Sequence, residues 1–186
     1  MRHFNIVCFD TETGGLNPYK DGLCSVTLQN INKEETKTIF IKPNPELNYS
    51  EDALRVNGLT LPELEEKGVS EPEAIKQIIM FLKQEFNWIK PCLLAHNIMF
   101  DIQFMNALFY RNKMPLFQEF FWGDPKDTMI LVSYLKQTSN TNFDKLNLQS
   151  VHKALFGEFF QDAHTSEADV KATTKIYKYL INKKYW

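Results

Sequence analysis

The stretch that most constrains this chain is residues 2–9, RHFNIVCF, a largely apolar run that stops at Asp10. Apolar side chains on consecutive rather than alternate positions suit a central strand buried on both faces. Residues 14–18, GGLNP, read as a turn, and residues 23–29 and 36–41 as two more strands around the polar turn 30–35. The opening segment therefore predicts an antiparallel meander. Between residues 72 and 88, Ala74, Ile75, Ile78, Ile79, Leu82 and Phe86 recur at helical spacing, the pattern of an amphipathic helix. Residues 92–95 then predict a short buried strand, residues 100–110, 127–135, 146–156 and 166–181 predict four more helices, and residues 42–48 and 137–144 read as loops. Strands first and helices interleaved later predict an α/β fold, a mixed central sheet flanked by helices. With 186 residues and no linker-like segment, residues 1–186 read as one domain whose core needs no disulfide.

Composition narrows the setting. A chain with 44% hydrophobic and 24% charged residues is of the soluble globular class, with phenylalanine unusually frequent. No apolar stretch reaches the roughly 18 residues of a membrane span, and the chain start runs directly into Asp10 and Glu12. The expected location is the cytoplasm, with no membrane partner. Cys8, Cys24 and Cys92 are odd in number, far apart and set in apolar runs, so they read as buried thiols rather than a disulfide framework or a zinc site. The net charge of −2 supplies no basic footprint for nucleic acid, and weighs against such a partner unless the acids are gathered in a metal site.

Three acidic segments are candidates for that gathering. Asp10 and Glu12 lie two apart at the end of the first strand, so both project to one side of the sheet while Thr11 points to the other. At an effective dielectric near 20, two unit charges ~4 Å apart repel by about 4 kcal/mol, so such a pair takes up either protons or a cation. Oxygen ligands of this kind suit magnesium or manganese. The competing reading is a solvated strand end. Ala95-His96-Asn97-Ile98-Met99-Phe100-Asp101 runs from the short strand into a helix and places Asp101 in its first turn, where the helix dipole alone would favour an acid. The third segment is His164-Thr165-Ser166-Glu167-Ala168-Asp169, in which Ser166 and Asp169 match a capping box and His164 taken alone could be an ordinary surface histidine.

In this order the three segments resemble the three motifs of the DEDDh exonuclease family, which includes the proofreading subunit of bacterial DNA polymerase III and ribonuclease T. Phe9-Asp10-Thr11-Glu12-Thr13-Gly14-Gly15 matches the first, Ala95 to Asp101 resembles the second, and His164 with Asp169 five positions later matches the third. One motif would be weak, whereas three in order with compatible elements between them are strong. A sister family carries a tyrosine four residues before the last aspartate. Thr165 stands there in this chain, so the histidine class is the better match.

The resemblance implies an RNase H-like fold and a 3′-5′ exonuclease in which Asp10, Glu12, Asp101 and Asp169 hold two divalent ions, Mg2+ or Mn2+, with Asp10 bridging and His164 as general base. It implies that Thr13, Gly14, Leu16, His96, Asn97 and Phe100 line the pocket for the terminal nucleotides of a single-stranded or frayed 3′ end. Gly14 and Gly15 suit close backbone approach to a ligand, and Leu16 and Phe100 suit wedging and stacking against bases, although core packing competes for Phe100. It also allows a DNA polymerase as a second partner. One departure is Asn57-Gly58, where family members often carry His-Gly, which touches strand contacts rather than metal chemistry. Asp127 reads as a helix cap, and the spacing of Lys171, Lys175 and Lys178 fits a solvated helix face better than a phosphate guide. Three functional readings follow: an exonuclease on DNA of proofreading or repair type, an RNA 3′-end trimming enzyme, and a catalytically silent nucleic-acid- or partner-binding module. The complete set of four acids with His164 speaks against the last.

Overall fold

The computed structural model describes residues 5–138 and 143–182. The first expected strand forms as β1 (Ile6–Thr13), with residues 2–4 of the apolar run outside the described residues. It is followed by β2 (Leu23–Asn30) and β3 (Lys37–Phe40), paired antiparallel as a meander. After three helices, α1 (Glu51–Asn57), α2 (Leu61–Lys67) and α3 (Glu71–Phe86), β4 (Cys92–Ala95) joins β1 in parallel. Helix α4 (Ile98–Arg111) crosses back to β5 (Lys126–Asp127), which pairs parallel with β4. Helices α5 (Thr128–Thr138), α6 (Leu148–Phe156) and α7 (Ser166–Asn182) complete the chain. The sheet order is β3-β2-β1-β4-β5, a mixed sheet with β1 at its centre.

Burial of β1 on both faces follows from two different layers. Val7 and Phe9 pack with residues of α3 and α4, whereas Ile6 and Cys8 pack against Val170 and Tyr177 of α7. On the α4 side the phenylalanines gather: Phe117 lies 5.3 Å from Phe9, 5.5 Å from Phe109 and 4.6 Å from Phe121 between ring centroids. Tilted and edge-on arrangements at these distances are the favoured ones for aromatic pairs, and they account for the high phenylalanine content.

Helices α1 and α2 were not expected from the sequence. Each has seven residues, too short for a hydrophobic period, and local capping makes them. Ser50 accepts from Ala53 N at the start of α1 and Gly58 closes it at φ 64°, while Thr60 and Glu63 form a capping box on α2. The expected helix at 127–135 starts one residue later, because Asp127 ends a strand. Residues 139–142 of the expected 137–144 loop lie outside the described residues. Cys8 and Cys24 are buried as expected, but Cys92 is only half-buried, with its thiol donating to Asp124 O at 3.1 Å. Among the described residues no helix is long and apolar enough to cross a membrane.

Candidate active site

The pairing of β1 with β2 changes register just past the first two acids. In the register with β2, Asp10 lies opposite Thr27 and Glu12 opposite Ser25, and a shift between Glu12 and Thr13 marks a bulge. The even-numbered side chains of β1 face α7, so Asp10 and Glu12 share that face with Asp169. Polar contacts pin α7 there. Ser166 is buried with its hydroxyl 2.8 Å from Thr27 Oγ1 and 3.4 Å from Ser25 Oγ, and Thr174 donates to Gln29 Oε1 at 2.7 Å.

This arrangement rules out the competing capping-box reading of Ser166 and Asp169. The cap is Thr165, whose hydroxyl accepts from Ala168 N at 3.4 Å and donates to Asp162 O at 2.9 Å. Ser166 faces the sheet instead. Asp169 is thereby released from helix capping, and its Oδ1 is buried with no hydrogen-bond partner among the described residues. A buried carboxylate oxygen without a partner is costly unless something else occupies it.

Asp101 arrives from the opposite layer. It lies in the first turn of α4, is 4% exposed, and its Oδ1 accepts from Thr11 N at 3.0 Å and Thr11 Oγ1 at 2.6 Å. Thr11 is a site residue that the sequence reading left out, although the alternation that turns it away from Asp10 and Glu12 also aims it at Asp101. A hydroxyl in the middle of an otherwise buried strand needs a partner, and that was the available signal.

The four acids feel one another. Asp10 is raised well above the usual carboxylate range by burial and then by the charges of Asp101, Glu12 and Asp169. Burial, with Asp169 and Asp101, pushes Glu12 up to about 9. Asp101 rises to about 7 through burial against the pull of its two Thr11 bonds. Burial also lifts Asp169, to about 6, opposed by the backbone N–H and the side chain of His164. Among the described residues no three His, Cys, Asp or Glu side chains stand tightly enough grouped to hold a metal ion without adjustment. Thr11 holds one oxygen of Asp101. The donor set, all hard oxygen with one orphaned buried oxygen, fits a divalent cation that would draw them together.

A stability consequence follows. Each raised acid retains in the folded state a proton that the unfolded chain has already lost above about pH 4. The stability these groups contribute is present below that pH and is lost as pH rises through about 6, 7 and 9 for Asp169, Asp101 and Glu12. In EDTA, the melting temperature is expected to fall by about 5–10 °C between pH 5 and pH 9, a few kcal/mol, and to fall less in Glu12→Gln. Melts followed by circular dichroism check this, and a melting temperature that stays level or rises over that range would contradict the raised carboxylates.

His164 is exposed on the bend before α7, in left-handed backbone conformation at φ 69°. Leu16 is 84% exposed, and Phe100 is half-buried against the core with its ring 5.0 Å from Phe104. Thr13 donates to Gly15 O at 2.7 Å, and its own carbonyl accepts from Asn57 Nδ2 at 2.9 Å, so the residue in the place of the family histidine braces the end of β1. Asn97 is exposed and left-handed at φ 65°. His96 has both ring nitrogens engaged, Nδ1 at 2.8 Å from Thr128 Oγ1 and Nε2 at 2.7 Å from Leu146 O. Gly14 and Gly15 also make room for the chain itself: a Cβ on Gly14 would stand 2.8 Å from Asn48 O, and one on Gly15 would run into the Asp21 carboxylate. Lys171, Lys175 and Lys178 form an exposed face, on which Lys171 pairs with Glu167 at 2.6 Å and Lys175 lies 3.1 Å from His152 Nε2 and over the Phe156 ring. Beside Glu12 opens a cavity of about 390 Å³ walled by Phe40, Asn57, Leu59, Asp162 and Ser166. The helix α1 that supplies its Asn57 wall was invisible in the sequence pattern.

Comparison with known proteins identifies the setting. Residues 7–177 match the exonuclease family typified by ribonuclease T. The chain is 30% identical over 198 aligned positions to ribonuclease T of Vibrio campbellii, covering 98% of this chain and 88% of that protein. The fold superposes on Escherichia coli exonuclease I in complex with a dT13 oligonucleotide with a TM-score of 0.80 at 22% identity, over 96% of this chain and 41% of that one. A zinc-bound form of the E. coli exonuclease I complex with single-stranded DNA gives a TM-score of 0.78 at 21% identity, over 97% and 40%. This chain thus spans about two fifths of the length of the exonuclease I chains it resembles. A match running from β1 into α7, on an RNase H-like exonuclease fold whose central strand ends in Asp10 and Glu12 with Asp101 of α4 and Asp169 of α7 beside them, makes the chain a member of the DEDDh 3′-5′ exonuclease family.

Proposed function

We propose that the protein hydrolyses the terminal phosphodiester at the 3′ end of a single strand, with DNA as the leading substrate, using divalent metal held by Asp10, Glu12, Asp101 and Asp169. The observation that carries this reading is the buried Asp169 Oδ1, left without a hydrogen-bond partner on a side chain whose charge, with that of Asp101, raises the proton affinity of Asp10 and Glu12. Divalent ions held there would lower the pKa of water and stabilise charge on the departing 3′ oxygen. The chain supplies the rest. Asp10 and Glu12 would hold the metal from the α7 face and Asp101 from the α4 face, while His164 takes the proton from the attacking water as the P–O3′ bond breaks, a 5′-mononucleotide leaves and the O3′ of the shortened strand takes up a proton from solvent. Leu16 and Phe100 border the site with apolar surface against which a base can stack, and Thr13, Gly14, His96 and Asn97 shape the backbone around it.

The complexes of exonuclease I with single-stranded DNA support the DNA reading. RNA is the second reading, favoured by the similarity to ribonuclease T over 88% of that protein. Matched 5′-labelled DNA and RNA oligonucleotides with Mg2+ or Mn2+ decide between them. The expected result is shortening in single-nucleotide steps from the 3′ end, faster on DNA and stopped by EDTA. Faster RNA shortening transfers the assignment to RNA, cuts within a circular single strand with linear strands left intact remove the exonuclease reading, and binding without shortening supports a silent module.

A further inference from the structure

Asp127 is 7% exposed, and its carboxylate accepts from four backbone N–H groups on two helices. Oδ1 accepts from Asn97 at 3.0 Å, Met129 at 2.8 Å and Ile130 at 3.4 Å, and Oδ2 accepts from Ile98 at 3.1 Å. The bonds to Met129 and Ile130 are the helix cap expected from the sequence, on α5. Those to Asn97 and Ile98 are not: they cap α4 from a strand thirty residues further along the chain. Helix α4 lacks a cap of its own, since Asn97 is left-handed and its side chain makes no cap bond. The next residue, Thr128, is fully buried and binds His96, whose other nitrogen donates to Leu146 O. Burial holds His96 below the usual histidine range, and the Thr128 hydroxyl that meets its Nδ1 also donates to Ala95 O at 3.3 Å. Residues 96, 97 and 98, which lead from β4 to Asp101, are thus all held by two consecutive residues of β5 and α5.

We propose that Asp127 is a positioning residue of the hydrolytic site, fixing the first turn of α4 so that Asp101 meets Thr11 and the other three acids. The proposal rests on the metal-dependent reading above for its consequence in activity, but not for its geometry. The charge of Asp127 repels that of Asp101, so the placement works through the α4 backbone rather than by attraction. An aspartate needed only to start α5 would have no call on the amides of Asn97 and Ile98.

The test uses Asp127→Asn, which keeps the size but withdraws the charge and one acceptor, and Asp127→Glu, which keeps the charge on a longer stem. The decisive reporter is the Thr11 amide, which donates to Asp101 and does not touch Asp127. In ¹H–¹⁵N spectra of the metal-free Asp127→Asn protein, the Thr11 amide is expected to shift and its hydrogen exchange to accelerate about tenfold or more. Mn2+ affinity, measured by calorimetry without substrate, is expected to fall by about ten- to a hundredfold, the usual loss when groups supporting metal ligands are altered. Asp127→Glu should move Thr11 less than Asp127→Asn, and it is read in the same way if Asp127→Asn does not fold. An unmoved Thr11 amide, with only the amides of Asn97, Ile98, Met129 and Ile130 perturbed, overturns the proposal and leaves Asp127 a plain helix cap. A wild-type protein that binds no Mn2+ would instead overturn the metal reading, and the Thr11 amide would still decide the positioning.

Discussion

Replacing Asp10 or Asp169 with alanine is expected to abolish strand shortening, by a factor of about 10⁴ or more, while the metal-free protein stays folded. The size follows from the task assigned to these groups. Metal in such sites stabilises several kcal/mol of transition-state charge, and each 1.36 kcal/mol is about tenfold in rate. The folding half of the expectation follows from the structure. Asp10 is lifted by burial and three neighbouring carboxylates, and Asp169 contributes a buried oxygen with no partner and no cap to its own helix. Removing either relieves repulsion, so the melting temperature in EDTA should be unchanged or higher. Turnover on a 5′-labelled oligonucleotide and a metal-free melt test the two halves. An Asp169→Ala protein that unfolds, with activity surviving in whatever remains folded, would return Asp169 to a structural role.

His164→Ala is expected to slow turnover by a factor on the order of 10² to 10⁴, or about 3 to 5.5 kcal/mol of barrier, while leaving metal and strand binding in place. His164 is exposed on the bend before α7 and lies outside the all-oxygen donor set, so its loss takes away a proton acceptor and not a ligand. Wild-type activity should rise with pH along a limb that vanishes in the variant. Ionisation of water at the metal could produce a similar limb, which is why the comparison between the two proteins carries the test. Near wild-type turnover in His164→Ala, or failure traced to lost Mn2+ binding in calorimetry, would take His164 out of this role.

Asn57 and Asp127 show how far the sequence reached. Asn57 was recognised as a departure from the family pattern, but its bond to the Thr13 carbonyl crosses from α1 to β1, and α1 itself left no periodic trace. Asp127 was read as a cap for the helix that follows it, which it is, while its grip on α4 lay outside any local window.

The sequence by itself determined the features that depend on neighbours a few positions apart. Consecutive apolar residues made β1 central, alternation paired Asp10 with Glu12, helical spacing produced α3, and the order of three acidic segments pointed to the family. Tertiary structure decided what each polar group does. Ser166 and Asp169 had the spacing of a capping box, yet burial of Ser166 against Thr27 handed the cap to Thr165 and left Asp169 Oδ1 without a partner. Asp101 is held by Thr11 across 90 positions of chain. The physical reason is common to all of these. A buried polar group must find a partner, several are available at similar cost, and which one it meets is set by how the layers pack rather than by the residues beside it.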